Sequence, residues 1–250
     1  MYSNYSPEIN GIKYLIKNKQ DCIQSQLNIG TQWNNEIIDI VKSYISSKKL
    51  SHFLNIGAHI GTICLPISLH INKVTVIEAF PETFKYLCDN ITFNDISNIH
   101  TYNLALGNSN ETIYFMGMDN ICPIEHINRV KDNTGGMHVF TENDVNNNIR
   151  SGILCDKKSK NQMTKLDELI IDNFDIMLVD IEGSEYNFLL GAREKIIKNK
   201  PIIIIEIWDD YKRKKENMKM SQENVINYII SLNYKLVRTL GNDFIFEPSY

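Results

Sequence analysis

Three places in the chain set polar side chains where an apolar run stops. "HFLNIGAHIG", residues 52–61, begins as a buried strand and ends in Asn55, Gly57, His59 and Gly61. Gly57 lets the chain turn tightly, Gly61 lets a ligand or a neighbouring strand approach, and exposed backbone N–H groups at the following helix start can hold an anionic group. The same glycines would serve a turn with no ligand at all. Glu78 closes a second apolar run, 23 residues after Asn55. There a carboxylate can accept hydrogen bonds from both hydroxyls of a ribose, or stand as a solvated strand end. Ala79 and Phe80 follow it, apolar and placed to lie against an adenine. A carboxylate at that point would repel a 2′-phosphorylated ligand.

The densest polar group is "LVDIEGSEYNFLLGA", with Asp180, Glu182 and Glu185 around Gly183 and Ser184. An acidic residue in a first helical turn complements the helix dipole, and Glu185 is read that way. Asp180 follows a largely apolar run, so it sits at a strand mouth where desolvation tunes a carboxyl for proton transfer. Glu182 is a second candidate for that role. Glu206 ends "PIIIIE" and precedes Trp208; the two either shape an acceptor pocket or close a strand. Asp180, Glu182 and Glu206 could alternatively hold Mg²⁺ or Ca²⁺, since hard cations favour oxygen ligands; the main expectation is no metal. The six histidines include no i, i+4 pair, which speaks against a zinc hydrolase.

The elements that must position these groups alternate. An amphipathic helix over 35–46 precedes strand 52–56, followed by a helix about 62–71, strand 73–79, a helix opening at Pro81, and strand 99–105. The alternation resumes with strand 174–181, a helix about 184–198 and "PIIIIEI" at 201–207, an apolar run suited to a parallel strand covered on both faces. After a helix near 221–232, "YKLVRTL" and "DFIFEP" flank Gly241-Asn242 and read as a hairpin. The expected fold is α/β: a Rossmann-like, seven-stranded, mostly parallel sheet finished by a C-terminal antiparallel hairpin, the arrangement of class I methyltransferases. Nicotinamide-binding Rossmann domains usually keep every strand parallel. An N-terminal helical segment, 1–50, is expected to precede the domain 51–250. Residues 117–162, rich in Asn, Asp and Gly, read as an inserted loop or lid; Gly136 would allow close backbone approach or a hinge, and His138 is its ionisable candidate, a second choice for the proton-accepting role.

At 250 residues and 43% hydrophobic content the chain can bury a core as one domain. A net charge of −4 supplies no overall field for nucleic-acid phosphates, which disfavours nucleic acid as a partner and RNA methylation as an activity. Five scattered cysteines lack the close pairs of a zinc site or disulfide framework and read as reduced thiols in the cytoplasm. No signal peptide or apolar stretch of about eighteen residues is present, so no membrane partner is expected. The oligomeric state is not legible.

Taken together, "NIGAHIG", "EAFPETFKYLCDN" with Asn94 beyond, "LALGN", "MTKLDEL", "VDIEGSE", "LLGA" and "PIIIIEI" resemble, in order and spacing, the FkbM family of S-adenosylmethionine-dependent methyltransferases. The likeness runs from about residue 52 to 246. It implies S-adenosylmethionine as cofactor and usually O-methylation of a hydroxyl on a sugar, glycan or small metabolite. Within it Gly57, Ala58 and Gly61 would meet the methionine part of the cofactor and Glu78 its ribose; Asn55, His59, Ala79, Phe80, Ala105 and Asp180 complete the cofactor set, and Glu206, Trp208 and Gly136 the acceptor set. Three positions depart from the family pattern: Asn55 stands for Asp, His59 for Asn, and Leu178 for a Lys. The departures at Asn55 and Leu178 suggest the alternative of a catalytically degenerate S-adenosylmethionine-binding protein; a nicotinamide-dependent oxidoreductase, which would use the same loop and acidic residue, is a more remote alternative.

Overall fold

The computed structural model describes residues 5–116, 134–136, 139–142, 155–215 and 218–249. It divides into two compact units, Met1–Asn103 with Cys122–Met137, and Leu104–Ile121 with His138–Tyr250.

In the first unit, a hairpin with bridges Tyr5–Leu15 and Ile9–Ile12 leads into helix α1, Cys22–Asn28. Asn10 and Gly11 both have positive φ, the two-residue turn that Asn-Gly adopts at low cost. The buried carboxylate of Asp21 caps α1 by accepting from Ile23 N and Gln24 N. Helix α2, Asn35–Lys48, buries Ile37, Ile38, Ile40, Val41 and Ile45 and stops where Lys49 turns left-handed. Then come β1 (His52–Ile56), α3 (Cys64–Ser68), β2 (Lys73–Ile77), α4 (Pro81–Phe93) and β3 (Ile99–Tyr102). Strands β1, β2 and β3 pair in parallel, and every residue of β1 is buried, as an apolar run flanked on both faces requires.

The second unit begins with β4 (Ala105–Leu106) and β5 (Glu111–Met116), followed by β6 (Val139–Thr141) and β7 (Cys155–Thr164). These form their own sheet in the order β4-β7-β5-β6. The region read from sequence as an irregular insertion therefore contributes two strands. Next are β8 (Ile176–Val179), helices α5 (Glu185–Gly191) and α6 (Arg193–Asn199), β9 (Ile202–Glu206), α7 (Asp210–Lys215), α8 (Gln222–Ser231), and the hairpin β10 (Tyr234–Leu240) and β11 (Asp243–Pro248). The single helix expected over 184–198 is two helices that meet at Ala192; beside the break a Cβ on Gly191 would lie 1.9 Å from the Gly107 carbonyl oxygen, so only glycine fits there.

Strands β8 and β9 are parallel, while β11 runs antiparallel to both β9 and β10. The hydrogen-bonded order of the seven-stranded sheet is β3-β2-β1-β8-β9-β11-β10. This is the mostly parallel sheet with an antiparallel C-terminal hairpin that the strand pattern implies. Ile202, Ile203, Ile204 and Ile205 are buried in succession, each worth roughly 1.5–3 kcal/mol of transfer free energy. Among the described residues, no helix is long and apolar enough to cross a membrane.

Candidate functional site

In the first unit the polar groups gather at the turn after β1. Gly57, His59 and Gly61 have φ of +80°, +49° and +96°. The left-handed conformation at 59 is one that His, like Asn, adopts more readily than most side chains. A Cβ on Gly61 would fall 1.9 Å from Leu65 Cδ1 and 2.9 Å from Leu87 Cδ1, so the glycine answers to packing as well as to the turn.

The backbone N–H groups of this turn are not an open anion cradle, contrary to the expectation from sequence. Gly57 N and Ala58 N both donate to the Ile77 carbonyl, at 2.9 and 3.1 Å, and Gly61 N donates to Ala58 O. His59 N donates to Glu78 Oε2 at 2.8 Å, and Phe80 N to Glu78 Oε1 at 2.9 Å. Glu78 is thus no solvated strand end: it is 8% exposed, and each carboxylate oxygen is held by a backbone donor. Burial pushes its carboxyl above the ordinary range, opposed by the bonds from Phe80, His59 and Ala79. Since a carboxylate offers about four acceptor sites, these backbone donors do not exhaust its acceptor capacity. Ala79 is half-buried and Phe80 buried at the start of α4.

Asn55 is 1% exposed, and its Oδ1 has no hydrogen-bond donor among the described residues. A buried orphan acceptor costs about 1–3 kcal/mol unless something satisfies it. The ammonium of an amino-acid moiety would. Burial lowers the His59 imidazole from 6.5 to about 4, against the opposing pull of the Asp21 carboxylate, so the ring is neutral at pH 7.

Side chains that sequence reasoning did not single out brace the turn. Asn90 Nδ2 donates to Ile60 O at 2.9 Å while its Oδ1 accepts from Leu15 N; Gln32 Nε2 and Tyr14 Oη donate to Thr62 O; Asn103 Nδ2 donates to the Glu78 carbonyl. The Asn10-Gly11 dipeptide was the signal available for the hairpin that carries Tyr14.

In the second unit, Asp180 directly follows β8 and Glu206 ends β9, so consecutive parallel strands aim both carboxylates from the same sheet end. Glu182 stands on a turn with φ +51°, followed by Gly183 at +96°. One carboxylate oxygen from each of Asp180, Glu182 and Glu206 lies within 4.8 Å of the other two. Burial first, then the charges of Glu206, Glu182, Asp243 and Glu185, push the Asp180 carboxyl well above its ordinary range. Such a group holds its proton to higher pH and, once ionised, is a stronger base than an exposed aspartate.

Trp208 is fully buried, and its Nε1–H donates to Glu206 Oε2 at 3.1 Å. Lys212 Nζ lies 3.4 Å from the centroid of the Trp208 ring and 3.8 Å from Glu182 Oε2. Leu178 is buried inside β8. Glu185 stands in the first turn of α5, where a carboxylate complements the helix dipole. It is fully buried, accepts from Gly183 N at 2.6 Å and faces Arg213 Nη1 at 3.5 Å. Burial raises its carboxyl to about 7, opposed by the Gly183 and Glu185 N–H groups and Arg213. Arg213 Nε in turn donates to Met220 O, so one guanidinium holds both Glu185 and the residues that follow α7.

Ala105 is buried in β4, paired with Met163 in the four-stranded sheet. Gly136 lies in a short 3₁₀ turn, Thr134–Gly136, and His138 falls outside the described residues.

The chain matches the family model for the methyltransferase FkbM domain over residues 55–236. Among solved structures it is similar to the methyltransferase FkbM from Methylobacillus flagellatus KT, with 18% identity, a TM-score of 0.48, and coverage of 79% of this chain but 43% of that one. It thus spans less than half the length of that protein. It is also similar to the N-methyltransferase NodS from Bradyrhizobium japonicum WM9 (11% identity, TM-score 0.48, 86% and 96% coverage). A third is an O-methyltransferase from Bacillus cereus in complex with SAH (9% identity, TM-score 0.47, 86% and 80% coverage). No curated protein matches the chain.

Proposed function

From the premise that the chain belongs to the methyltransferase FkbM domain family, we propose that it uses S-adenosylmethionine to methylate a hydroxyl on a sugar, glycan or small metabolite. The observation that carries the cofactor reading is the buried carboxylate of Glu78, pinned through both oxygens beside the turn after β1. Held in this way it is preorganised to accept the two hydroxyls of a ribose without moving. The orphaned Oδ1 of Asn55 supports the same reading: an amino-acid ammonium would satisfy it, so the departure from Asp exchanges an ion pair for a hydrogen bond to a charged donor.

S-adenosylmethionine supplies a methyl carbon on a sulfonium. The acceptor hydroxyl must lose its proton, and Asp180 takes it, with Glu182 and Glu206 shaping the surrounding field. Burial, and then the charges of those carboxylates, push the Asp180 carboxyl well above its ordinary range, which makes it a stronger base once ionised. Trp208 fixes the Glu206 carboxylate by its indole N–H and so holds the acceptor wall in place.

Calorimetry with S-adenosylhomocysteine tests the cofactor half; absence of heat from a folded sample overturns it. For the acceptor half, a panel of hydroxylated sugars and metabolites is incubated with S-adenosylmethionine and S-adenosylhomocysteine release is followed. Asp180→Asn is expected to abolish release and leave S-adenosylhomocysteine affinity within about threefold of wild type. Release at the wild-type rate would remove Asp180 from the mechanism.

The mutual approach of three carboxylate oxygens within 4.8 Å favours one second reading, a divalent cation held by Asp180, Glu182 and Glu206. Mg²⁺ should then raise the melting temperature of the wild type and not of Glu206→Gln.

A further inference from the structure

In the carboxylate cluster, the place that a positively charged ligand would take is held by a side chain of the protein itself. The ammonium of Lys212 sits 3.4 Å from the centre of the Trp208 ring and 3.8 Å from Glu182 Oε2. An aromatic face bordered by carboxylates is the chemistry that recognises an ammonium group. The ring is buried and fastened by its bond to Glu206, so it cannot turn its face away. The side chain lying on it is different in kind: Lys212 is 45% exposed on a flexible four-carbon stem, and an ion pair of that exposure is weak. Arg213, the next residue, is engaged in the buried pair with Glu185. A ligand bringing its own ammonium could therefore take over the Trp208 face while Lys212 swings into solvent. An anionic ligand would meet the carboxylates of Asp180, Glu182 and Glu206 instead.

We propose that the acceptor is a polyol bearing an ammonium group, an amino sugar in chemical class, whose ammonium displaces Lys212 from the Trp208 ring and whose hydroxyls donate to the carboxylates of Asp180 and Glu206. This rests on reading the cluster as the acceptor side of a methyltransferase. It adds a charge to the substrate class, and it gives Lys212 the role of a resident competitor that keeps the aromatic face covered until such a ligand arrives.

The test is calorimetry on the full chain saturated with S-adenosylhomocysteine, titrated with D-glucosamine, D-glucose, N-acetyl-D-glucosamine and D-glucuronate at a slightly acidic pH that keeps the amine charged. Glucosamine is expected to bind at least about tenfold more tightly than glucose or N-acetylglucosamine, the yield of one charged contact over an aromatic face, and glucuronate most weakly. Lys212→Ala should tighten glucosamine about threefold or more by removing its competitor. Lys214→Ala, the same change of charge at an exposed position of the same helix, should leave that affinity as it is. Equal binding of glucosamine and glucose, or glucosamine affinity unmoved by Lys212→Ala, overturns the inference while the heat of S-adenosylhomocysteine binding leaves the methyltransferase reading standing. Failure of S-adenosylhomocysteine itself to bind overturns that reading and this one with it.

Discussion

Replacing Glu78 by Gln separates the two tasks assigned to one carboxylate. In the wild type, its oxygens accept from His59 N and Phe80 N at 2.8 and 2.9 Å in a buried setting. A glutamine keeps one acceptor and turns its amide N–H₂ toward the other backbone donor, so one hydrogen bond to a charged group is lost and one buried donor stranded. Losses of this kind cost about 1.5–3 and 1–3 kcal/mol, and relief from burying a charge offsets part of them. A net destabilisation of about 1–3 kcal/mol is expected, or a fall in Tm of roughly 2–4 °C per kcal/mol for a chain of this size. The second loss is in the ligand: a ribose diol that donated to an ionised acceptor now meets an amide, which should weaken S-adenosylhomocysteine by about 1.5–3 kcal/mol, tenfold to a hundredfold or more in Kd. Scanning calorimetry reads the first effect and titration calorimetry the second. A variant that melts lower yet binds S-adenosylhomocysteine within about threefold of wild type would show that Glu78 braces the turn and touches no ribose, and the cofactor reading would lose its main support.

Asn55→Asp should lower the Tm of the ligand-free protein, because it buries a carboxylate without a donor, and should enlarge the stabilisation given by S-adenosylhomocysteine, whose ammonium pairs with it; thermal shift with and without ligand checks both signs. His59 has a folded-state value lowered to about 4 from 6.5, so its stabilising contribution is complete above 6.5 and is lost as pH falls toward about 4. His59→Asn should remove about 1–3 kcal/mol of that acid-side loss, visible as a flatter Tm-against-pH curve in this window. Asp180 is shifted the other way: its raised carboxyl makes the wild type lose stability as pH climbs from the ordinary value of 3.8 through the raised one. Asp180→Asn should therefore melt higher than wild type at neutral pH, by about 2–4 °C for each kcal/mol of repulsion relieved, with the difference vanishing in acid; equal melting curves at all pH values would contradict the crowding of charges around it.

What was legible in the sequence and what was not divides along physical lines. "HFLNI" and "IIIIE" are readable as strands because burial on both faces demands an unbroken apolar run, and Pro81 opens α4 where a missing N–H is harmless. Asn55, Glu78, Asp180 and Glu206 are readable because polar atoms at strand ends stand out against such runs. Strand β7, "CDKKSKNQMT", has no apolar rhythm at all; its ladder to β5 is made of backbone groups that composition does not display. The need for glycine at 191 comes from the carbonyl of Gly107, more than eighty residues away in the chain, which no local pattern reports. "YKRKK" places Arg213 in the core opposite Glu185 and Lys212 on an indole face, partners that only tertiary structure introduces. The anion cradle expected of the glycine turn is absent for a related reason: the Ile77 carbonyl and the Glu78 carboxylate, both distant in sequence from the turn, accept from its N–H groups.

The braces on the glycine turn also link it to the beginning of the chain. Asn90 joins the Ile60 carbonyl to the amide of Leu15, and Tyr14 with Gln32 grips the carbonyl of Thr62. Whatever steadies residues 57–62 must therefore quieten residues 5–16 as well. Deuterium uptake along that first hairpin becomes a remote gauge of ligand occupancy, readable by mass spectrometry on peptides that touch no ligand themselves.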